Sequence, residues 1–238
     1  MSDRLCVALD LEDRDEILRV AGEVSDVAGY VKVNSAFVLH GPGLVRDLHA
    51  MGARVFMDLK LHDIPNTMAA YGRAVTGLGA AIVTIHPAGG LEMMRATVAA
   101  ARESALRAGT AAPKLIGIAL LTSVDGKVLN EEVGVPGPAA AEVLRKSLLA
   151  AEAGLDGVVC APAEIEQLRG KLPDDFLYVT PGTRSPGDSE HDHKRSATHA
   201  QAIEAGSSLL VVGRRILHAP DRRKAALEVL EEMKGATA

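Results

Sequence analysis

The chain has 238 residues, of which 47% are hydrophobic and 24% charged, a composition typical of a globular protein with a sizeable core. Its formal net charge of -5 argues against a general nucleic-acid-binding protein, although a local basic pocket for an anionic ligand is compatible with it. Because we find neither a run of eighteen apolar residues nor a secretory leader, we expect a cytoplasmic protein that does not enter membranes.

Short apolar runs typical of buried strands alternate with helical patterns along the chain. The predicted strands cover residues 5–10, 30–34, 54–60, 81–86, 114–121, 157–161, 176–182 and 208–213. Apolar residues at helical spacing predict helices over residues 14–27, 43–51, 91–108, 138–154 and 221–234. Nearly continuous apolar strands that alternate with helices are typical of a parallel sheet covered by helices.

Eight strand–helix units in about 240 residues predict a (β/α)8 barrel, a TIM barrel, formed by residues 1–238 as a single domain. The alternative is an open, doubly wound sheet, but the first strand is not followed by the Gly-x-Gly-x-x-Gly motif of its dinucleotide-binding versions. The longest irregular stretch, residues 185–196, follows the seventh strand. A loop of that length in a compact domain is typical of an active-site lid.

Charged residues lie near the ends of the first three predicted strands. Side chains alternate between the two faces of a strand, so Asp58 and Lys60 share a face, opposite the aliphatic residues. The aliphatic face is expected to pack on the helices, which turns the charged face toward the barrel interior. Asp10, Lys32, Asp58 and Lys60 should then converge at the C-terminal mouth, where barrel enzymes place their chemistry. The alternative is a group of buried ion pairs that only stabilises the rim. We favour a ligand site because desolvation makes buried ion pairs poor stabilisers.

The segment after the third strand contains a proline and two candidate helix caps. Pro65 is expected to hold Ile64 in an extended conformation, and Asn66 or Thr67 to cap the next helix. His62 lies between two carboxylates, which raises the alternative of a metal site. The lysine ammonium beside them would repel a cation, so we expect no metal here.

Glycines and arginines follow the seventh and eighth strands, in the sequences TPGTR and VVGRRI. Gly182 and Gly213 allow the backbone to approach a ligand closely, and Arg184 and Arg214 can bind phosphate oxygens in a forked geometry. Barrels frequently bind phosphate at this position. The alternative is that these are turn glycines and surface arginines.

The motifs VALD, VKVN, FMDLKLHDIPNT, LTS, PGTR and VVGRRI occur in the order, and at about the spacing, seen in orotidine 5'-phosphate decarboxylases. The chain resembles that family over nearly its whole length. The resemblance implies a (β/α)8 barrel that forms a homodimer with its sites at the subunit interface. It also implies decarboxylation of orotidine 5'-phosphate to UMP, the last step of de novo UMP synthesis, without metal or organic cofactor.

The same resemblance implies a role for each charged residue. Lys60 would donate the proton, with Asp58 near the departing carboxylate. Asp10 and Lys32 would hold the ribose hydroxyls and complete a row of alternating charge.

Further contacts implied by the resemblance come from loops. Asp63 would be contributed to the partner subunit's site, together with Ile64 and Thr67. The remaining substrate contacts would be Thr122 and Ser123 at the pyrimidine ring, and Arg184, Gly213 and Arg214 at the phosphate.

One position departs from the family pattern. The family usually carries a glutamine nine residues beyond Arg184, which bridges phosphate and base, and this chain has His193 there. Histidine can donate a hydrogen bond to phosphate, and more strongly when protonated. We therefore expect His193 to contact the ligand, with His191 or Lys194 as alternatives.

Two other functions compete with the decarboxylase. Enzymes that resemble hexulose-phosphate synthase also use an aspartate-x-lysine strand end, but with a magnesium ion and a sugar phosphate; the full DLKLHDIPNT motif favours the decarboxylase. The other is a noncatalytic barrel that only binds a nucleotide. The presence of all four charged residues at the mouth argues against it, because such a protein would not need them.

Overall fold

The computed structural model describes residues 2–185 and 197–235, and its strands form a closed parallel barrel in chain order. The strands are β1 (Leu5–Ala8), β2 (Tyr30–Val33), β3 (Val55–Leu61), β4 (Ile82–Ile85), β5 (Lys114–Ile118), β6 (Gly157–Val159), β7 (Leu177–Pro181) and β8 (Leu209–Val212). Because β8 pairs with β1, the sheet has no free edge. The predicted (β/α)8 barrel is confirmed, and the open sheet is excluded.

Helices follow the strands around the barrel. They are α1 (Arg14–Val24), α2 (Ser35–Ala50), α3 (Pro65–Gly77), α4 (Gly90–Ala108), α5 (Ala139–Glu152), α6 (Pro162–Leu168), α7 (His199–Ala205), α8 (Arg214–Leu217) and α9 (Arg222–Lys234). Acidic side chains cap two of them: Asp13 accepts from the backbone N–H of Glu16, and Asp221 accepts from that of Lys224. None of the helices in residues 2–185 and 197–235 is long and apolar enough to cross a membrane.

Two helices begin differently from the sequence-based expectation. The prediction that Asn66 or Thr67 caps the third helix is wrong, because α3 begins at Pro65 and both residues lie in its first turn. Proline suits the first helical position, where its missing N–H would have no partner. Ile64 is extended, at φ -64° and ψ 155°, as expected for a residue before proline. Asn34, predicted at the end of a strand, instead caps α2 by accepting from the N–H of Ser35.

The hydrophobic residues form two layers separated by the strands. One layer fills the barrel interior and consists of Cys6, Ala8, Phe56, Ile82, Ile116, Val179, Leu209 and Val211. The larger layer lies between the strands and the helices and includes Val7, Val31 and Met57. This division confirms the predicted alternation of strand faces. Lys32 pairs in register with Ala8 and Phe56, so its side chain continues the interior layer toward the C-terminal mouth.

Candidate active site

Four charged side chains from β1, β2 and β3 meet at the C-terminal mouth of the barrel. Lys32 Nζ lies 3.1 Å from Asp10 Oδ1 and 3.5 Å from Asp58 Oδ2. Lys60 Nζ lies 2.8 Å from the same Asp58 Oδ2. The charges therefore alternate in sign along one row, and Asp58 is shared by two ammonium groups. We call Asp10, Lys32, Asp58 and Lys60 the charged row.

The middle of the charged row is buried and its ends reach solvent. The side chains of Lys32 and Asp58 are 7% and 13% exposed, whereas those of Asp10 and Lys60 are 49% and 37% exposed. Burial opposes the charge of Asp58, but Lys32 and Lys60 outweigh it and hold the Asp58 pKa below its usual value. Burial also opposes the charge of Lys32, but Asp10 and Asp58 outweigh it and raise the Lys32 pKa. Both groups are charged at neutral pH.

The backbone of Lys60 adopts an unusual conformation. Its φ of 48° is the one positive φ of a non-glycine residue in the described ranges. Such a conformation costs about 1–3 kcal/mol and persists only where the surrounding structure holds it in place. The Lys60 N–H donates to Thr84 Oγ1 at 2.9 Å, and the Thr84 hydroxyl donates to Asp58 Oδ1 at 2.8 Å. Alternation of side chains along the fourth predicted strand puts Thr84 on the same face as Ile82, but sequence reasoning gives it no role.

A cavity of about 990 Å³ opens above the charged row. That volume lies within the range, about 300–1,000 Å³, of pockets that bind small molecules. Its lining contains all four members of the charged row and five further residues singled out from the sequence: Thr122, Gly182, Arg184, Gly213 and Arg214. Sequence reasoning missed other residues of the lining, notably Thr183, Arg215 and His218.

The ends of β7 and β8 present cations to the same cavity. The backbone of Arg184 is hydrogen-bonded to two residues near the start of α7. Its N–H donates to the Ala197 carbonyl, and its carbonyl accepts from the His199 N–H. Gly213 immediately precedes Arg214, the first residue of α8. A Cβ atom on Gly213 would lie 3.8 Å from Asp10 Oδ2, so this glycine borders the charged row. Cationic groups and the charged row therefore occupy adjoining parts of one cavity.

Four predicted contact residues do not line this cavity within the single chain: Asp63, Ile64, Thr67 and Ser123. Asp63 and Ser123 are exposed, and Asp63 Oδ1 accepts from the N–H of Ile64 at 2.7 Å. The Ile64 side chain projects into solvent and is 66% exposed. His193, with its alternatives His191 and Lys194, lies outside the described residues.

His62 packs against a second histidine. The ring centroids of His62 and His86 lie 5.8 Å apart, and burial, with His62 and Lys146, holds the His86 pKa below its usual value. Within residues 2–185 and 197–235, no three His, Cys, Asp or Glu side chains are grouped as a metal site would require.

The lowered pKa of Asp58 predicts how its contribution to stability depends on pH. A carboxyl group whose pKa is lower in the folded state stabilises the fold above its unfolded pKa, here near 3.8, and loses that effect as the pH falls through the folded value. The difference in free energy of unfolding between wild type and Asp58→Asn should be largest near pH 7. It should shrink below about pH 5.

Urea unfolding followed by circular dichroism between pH 7 and pH 3.5 measures this difference. Asp174→Asn is the matched control, because Asp174 is an exposed carboxylate. Its free energy of unfolding should stay within about 0.5 kcal/mol of wild type over the range. Parallel stability curves for wild type and Asp58→Asn would show that Asp58 does not stabilise the fold through its charge.

Comparisons with known proteins agree on one family. The model of the family described as orotidine 5'-phosphate decarboxylase / HUMPS matches residues 3–229. The chain is 43% identical over 236 residues to the orotidine 5'-phosphate decarboxylase of Heliobacterium modesticaldum, covering 97% of this chain and 96% of the relative. It is 42% identical over 232 residues to the enzyme of that name from Moorella thermoacetica, covering 97% of this chain and 92% of that one.

A solved structure gives the same result. The crystal structure of orotidine 5'-phosphate decarboxylase from Lactobacillus acidophilus is similar to this one, with a TM-score of 0.85 and 36% sequence identity. The match covers 96% of this chain and 98% of that one. The family model spans almost the whole sequence, and the relatives match over more than nine-tenths of their length, so the chain belongs to the orotidine 5'-phosphate decarboxylase / HUMPS family.

Proposed function

We propose that this protein decarboxylates orotidine 5'-phosphate to UMP in pyrimidine biosynthesis, through a C6 carbanion that Lys60 stabilises and protonates. The observation that carries the proposal is the position of Lys60 Nζ, 2.8 Å from Asp58 Oδ2, in a cavity whose lining also contains Arg184 and Arg214. Full-length relatives that are named for this decarboxylation support the choice of reaction.

The reaction needs strong stabilisation of negative charge. When CO2 leaves C6 of the pyrimidine, the bonding electron pair stays on that carbon in an sp2 orbital that the ring delocalises poorly. A rate enhancement of about 10^17 corresponds to about 23 kcal/mol of barrier lowering, which is more than one contact supplies. A fixed ammonium beside C6 acts twice. It stabilises the developing charge, most effectively where the bound substrate excludes water, and it then transfers a proton to form the C6–H bond.

The rest of the charged row prepares Lys60 for both tasks. Asp58 favours the charged form of the amine and fixes its position, because opposite charges in contact stabilise each other. Lys32 in turn neutralises part of the charge on Asp58 and extends the row to Asp10. We infer that Asp58 also faces the substrate carboxylate, whose departure relieves the repulsion between them. Lys32 and Asp10 are left to bind the ribose hydroxyls.

The phosphate is proposed to bind at the ends of β7 and β8. Arg184 and Arg214 line the cavity there, and Gly213 lies between Arg214 and the end of the charged row at Asp10. A phosphate bound here is remote from C6, so its binding energy can offset the cost of placing a carboxylate beside Asp58. Thr122, which lines the same cavity, is proposed to border the pyrimidine ring, with Ser123 next to it.

The homodimer is proposed from the surface around Asp63. This carboxylate is exposed in the single chain, and Ile64 beside it is among the exposed large hydrophobic residues. Val38 and Leu39, on the preceding strand–helix unit, and Tyr71 on α3 are exposed as well. Because β2 and β3 are neighbours and α2 and α3 follow them, these exposed apolar side chains belong to adjacent units of the barrel, which favours an interface there. A second copy docked there would receive Asp63, Ile64 and Thr67 at its own cavity.

An ultraviolet assay for loss of the orotate chromophore tests the proposed function. We expect the purified protein to convert orotidine 5'-phosphate with full activity in excess EDTA, since the proposed chemistry uses only side chains. Orotidine, which lacks the phosphate, is the matched substrate and should react orders of magnitude more slowly, because remote binding energy is missing. Magnesium-dependent turnover of a hexulose phosphate, without turnover of orotidine 5'-phosphate, would assign the chain to the other branch of its family.

A further inference from the structure

We propose that Thr84 is a positioning residue for the decarboxylation, whose hydroxyl group holds the Asp58 carboxylate and the Lys60 backbone in their reactive arrangement. The inference rests on the proposed function, because it assigns a role within the same site. Thr84 is fully buried on β4, with its side chain on the same strand face as Ile82, inside the barrel. It does not line the cavity, so its effect must pass through its two partners.

The hydroxyl group of Thr84 has both of its hydrogen-bonding roles filled by the site. It accepts from the Lys60 N–H at 2.9 Å and donates its own hydrogen to Asp58 Oδ1 at 2.8 Å. Asp58 Oδ1 is thereby fixed, and Oδ2 is left for Lys60 Nζ and Lys32 Nζ. Together with the stronger influence of the two lysines, this hydrogen bond lowers the pKa of Asp58 against the effect of burial.

The pairing of β3 with β4 explains why a side chain is needed at this point. Met57 pairs with Val83, but the next pair is Leu61 with Ile85, so four steps along β3 cover only two along β4. The extra residues leave the regular ladder, as in a β-bulge. The Lys60 N–H consequently bonds to a side-chain oxygen, Thr84 Oγ1. The same irregularity contains the left-handed backbone of Lys60.

Removal of this hydroxyl should therefore affect the chemical step more than binding. Without it, Asp58 can rotate about its side-chain bonds and the Lys60 backbone loses the acceptor that holds its left-handed conformation. Both changes move Lys60 Nζ relative to the reacting carbon. The phosphate-binding region at β7 and β8 is made by other elements and should keep its affinity.

Steady-state kinetics of three variants test the assignment. Thr84→Val keeps the shape of the side chain and should lower kcat about 10²-fold, the effect of a misplacement near 1 Å, with KM changed less than about threefold. Thr84→Ser restores the hydroxyl and should recover most of that loss. Thr97→Val is the matched control: Thr97 is buried and its hydroxyl donates to the Met93 carbonyl at 2.8 Å, away from the cavity. It should leave kcat unchanged while lowering Tm to a similar extent.

Crystal structures of wild type and Thr84→Val give a readout that needs no activity. We expect Lys60 to leave its left-handed conformation, or the Asp58 carboxylate to turn, in the variant. Should Thr84→Val fail to fold, Thr84→Ala also lacks the hydroxyl and is judged by the same criteria. An unchanged kcat in the hydroxyl-free variant, a loss that serine does not recover, or an unchanged Lys60 and Asp58 geometry would each overturn the proposal. If the wild type is inactive on orotidine 5'-phosphate, the proposed function is refuted. The crystal structures then still test whether Thr84 positions Asp58 and Lys60.

Discussion

Replacing Lys60 with alanine is expected to lower kcat for orotidine 5'-phosphate by about 10^4-fold or more, since the change removes both a general acid and a charge that faces the carbanion. Loss of either function alone costs at least about 10²-fold in well-studied enzymes. The change also leaves Asp58 Oδ2 with Lys32 as its remaining ammonium partner in the charged row. The ultraviolet assay measures the effect.

The control for this prediction is another lysine–aspartate pair in the same barrel. Lys114 Nζ lies 2.9 Å from Asp156 Oδ1 at the start of β5, the opposite end of the barrel from the cavity. Lys114→Ala should leave kcat unchanged, because an exposed ion pair contributes little and lies far from the substrate. The Lys60→Ala protein should still bind UMP in calorimetry through the phosphate-binding residues. If the Lys60→Ala protein keeps more than about a tenth of wild-type turnover, Lys60 is not the proton donor, because loss of a general acid costs at least about 10²-fold.

The barrel and the charged row were predictable because both follow from periodicity. The period of two along a strand puts Asp58 and Lys60 on one face, and the aliphatic residues between them identify the opposite face as the one packed on helices. Parallel strands then bring the C-terminal ends together. No tertiary information is needed for these steps, and Lys32 accordingly lies 3.5 Å from Asp58, a residue of another strand.

The hydrogen bonds by which Thr84 holds Asp58 and Lys60 were not predictable, because they depend on how β3 pairs with β4. Nothing in the sequence around Lys60 shows that β3 gains residues relative to β4, and regular pairing would give the same alternation of faces. The shift becomes visible only when Leu61 is found opposite Ile85. Thr84 therefore looked like an ordinary inward-facing strand residue. Its sole signal was a hydroxyl group at an interior position where the other barrel residues are mostly hydrophobic.

The start of α3 shows a different limit of local reasoning. Asn66 and Thr67 both have side chains suited to capping, but Pro65 precedes them and occupies the first helical position. The backbone restriction of proline determined the boundary, and the two polar residues were placed inside the first turn. Their side chains are thus not needed as caps, which leaves Thr67 available for the partner-subunit contact proposed for it.

Mixing two inactive variants is expected to restore activity if the site is shared between subunits. Lys60→Ala supplies an intact Asp63, and Asp63→Asn supplies an intact Lys60. In a two-fold symmetric hybrid, one site combines both wild-type residues and the other combines both substitutions. Random exchange of equal amounts makes half of the dimers hybrids, so up to about a quarter of all sites become intact. From two nearly inactive proteins, activity should rise to as much as that fraction of wild type.

The matched control places both substitutions in one chain. Mixing the double variant Lys60→Ala, Asp63→Asn with wild type gives hybrids in which each site carries one substitution, so activity should fall below the sum of the two unmixed samples. Subunit exchange is confirmed by native mass spectrometry with one variant isotope-labelled. We expect the hybrid of Lys60→Ala and Asp63→Asn to be active because Asp63 and Ile64 are exposed in the single chain. Neither residue lines the cavity that holds Lys60 in that chain. If activity stays absent after exchange has been demonstrated, Asp63 acts within its own subunit, and the dimer has to be explained without a shared site.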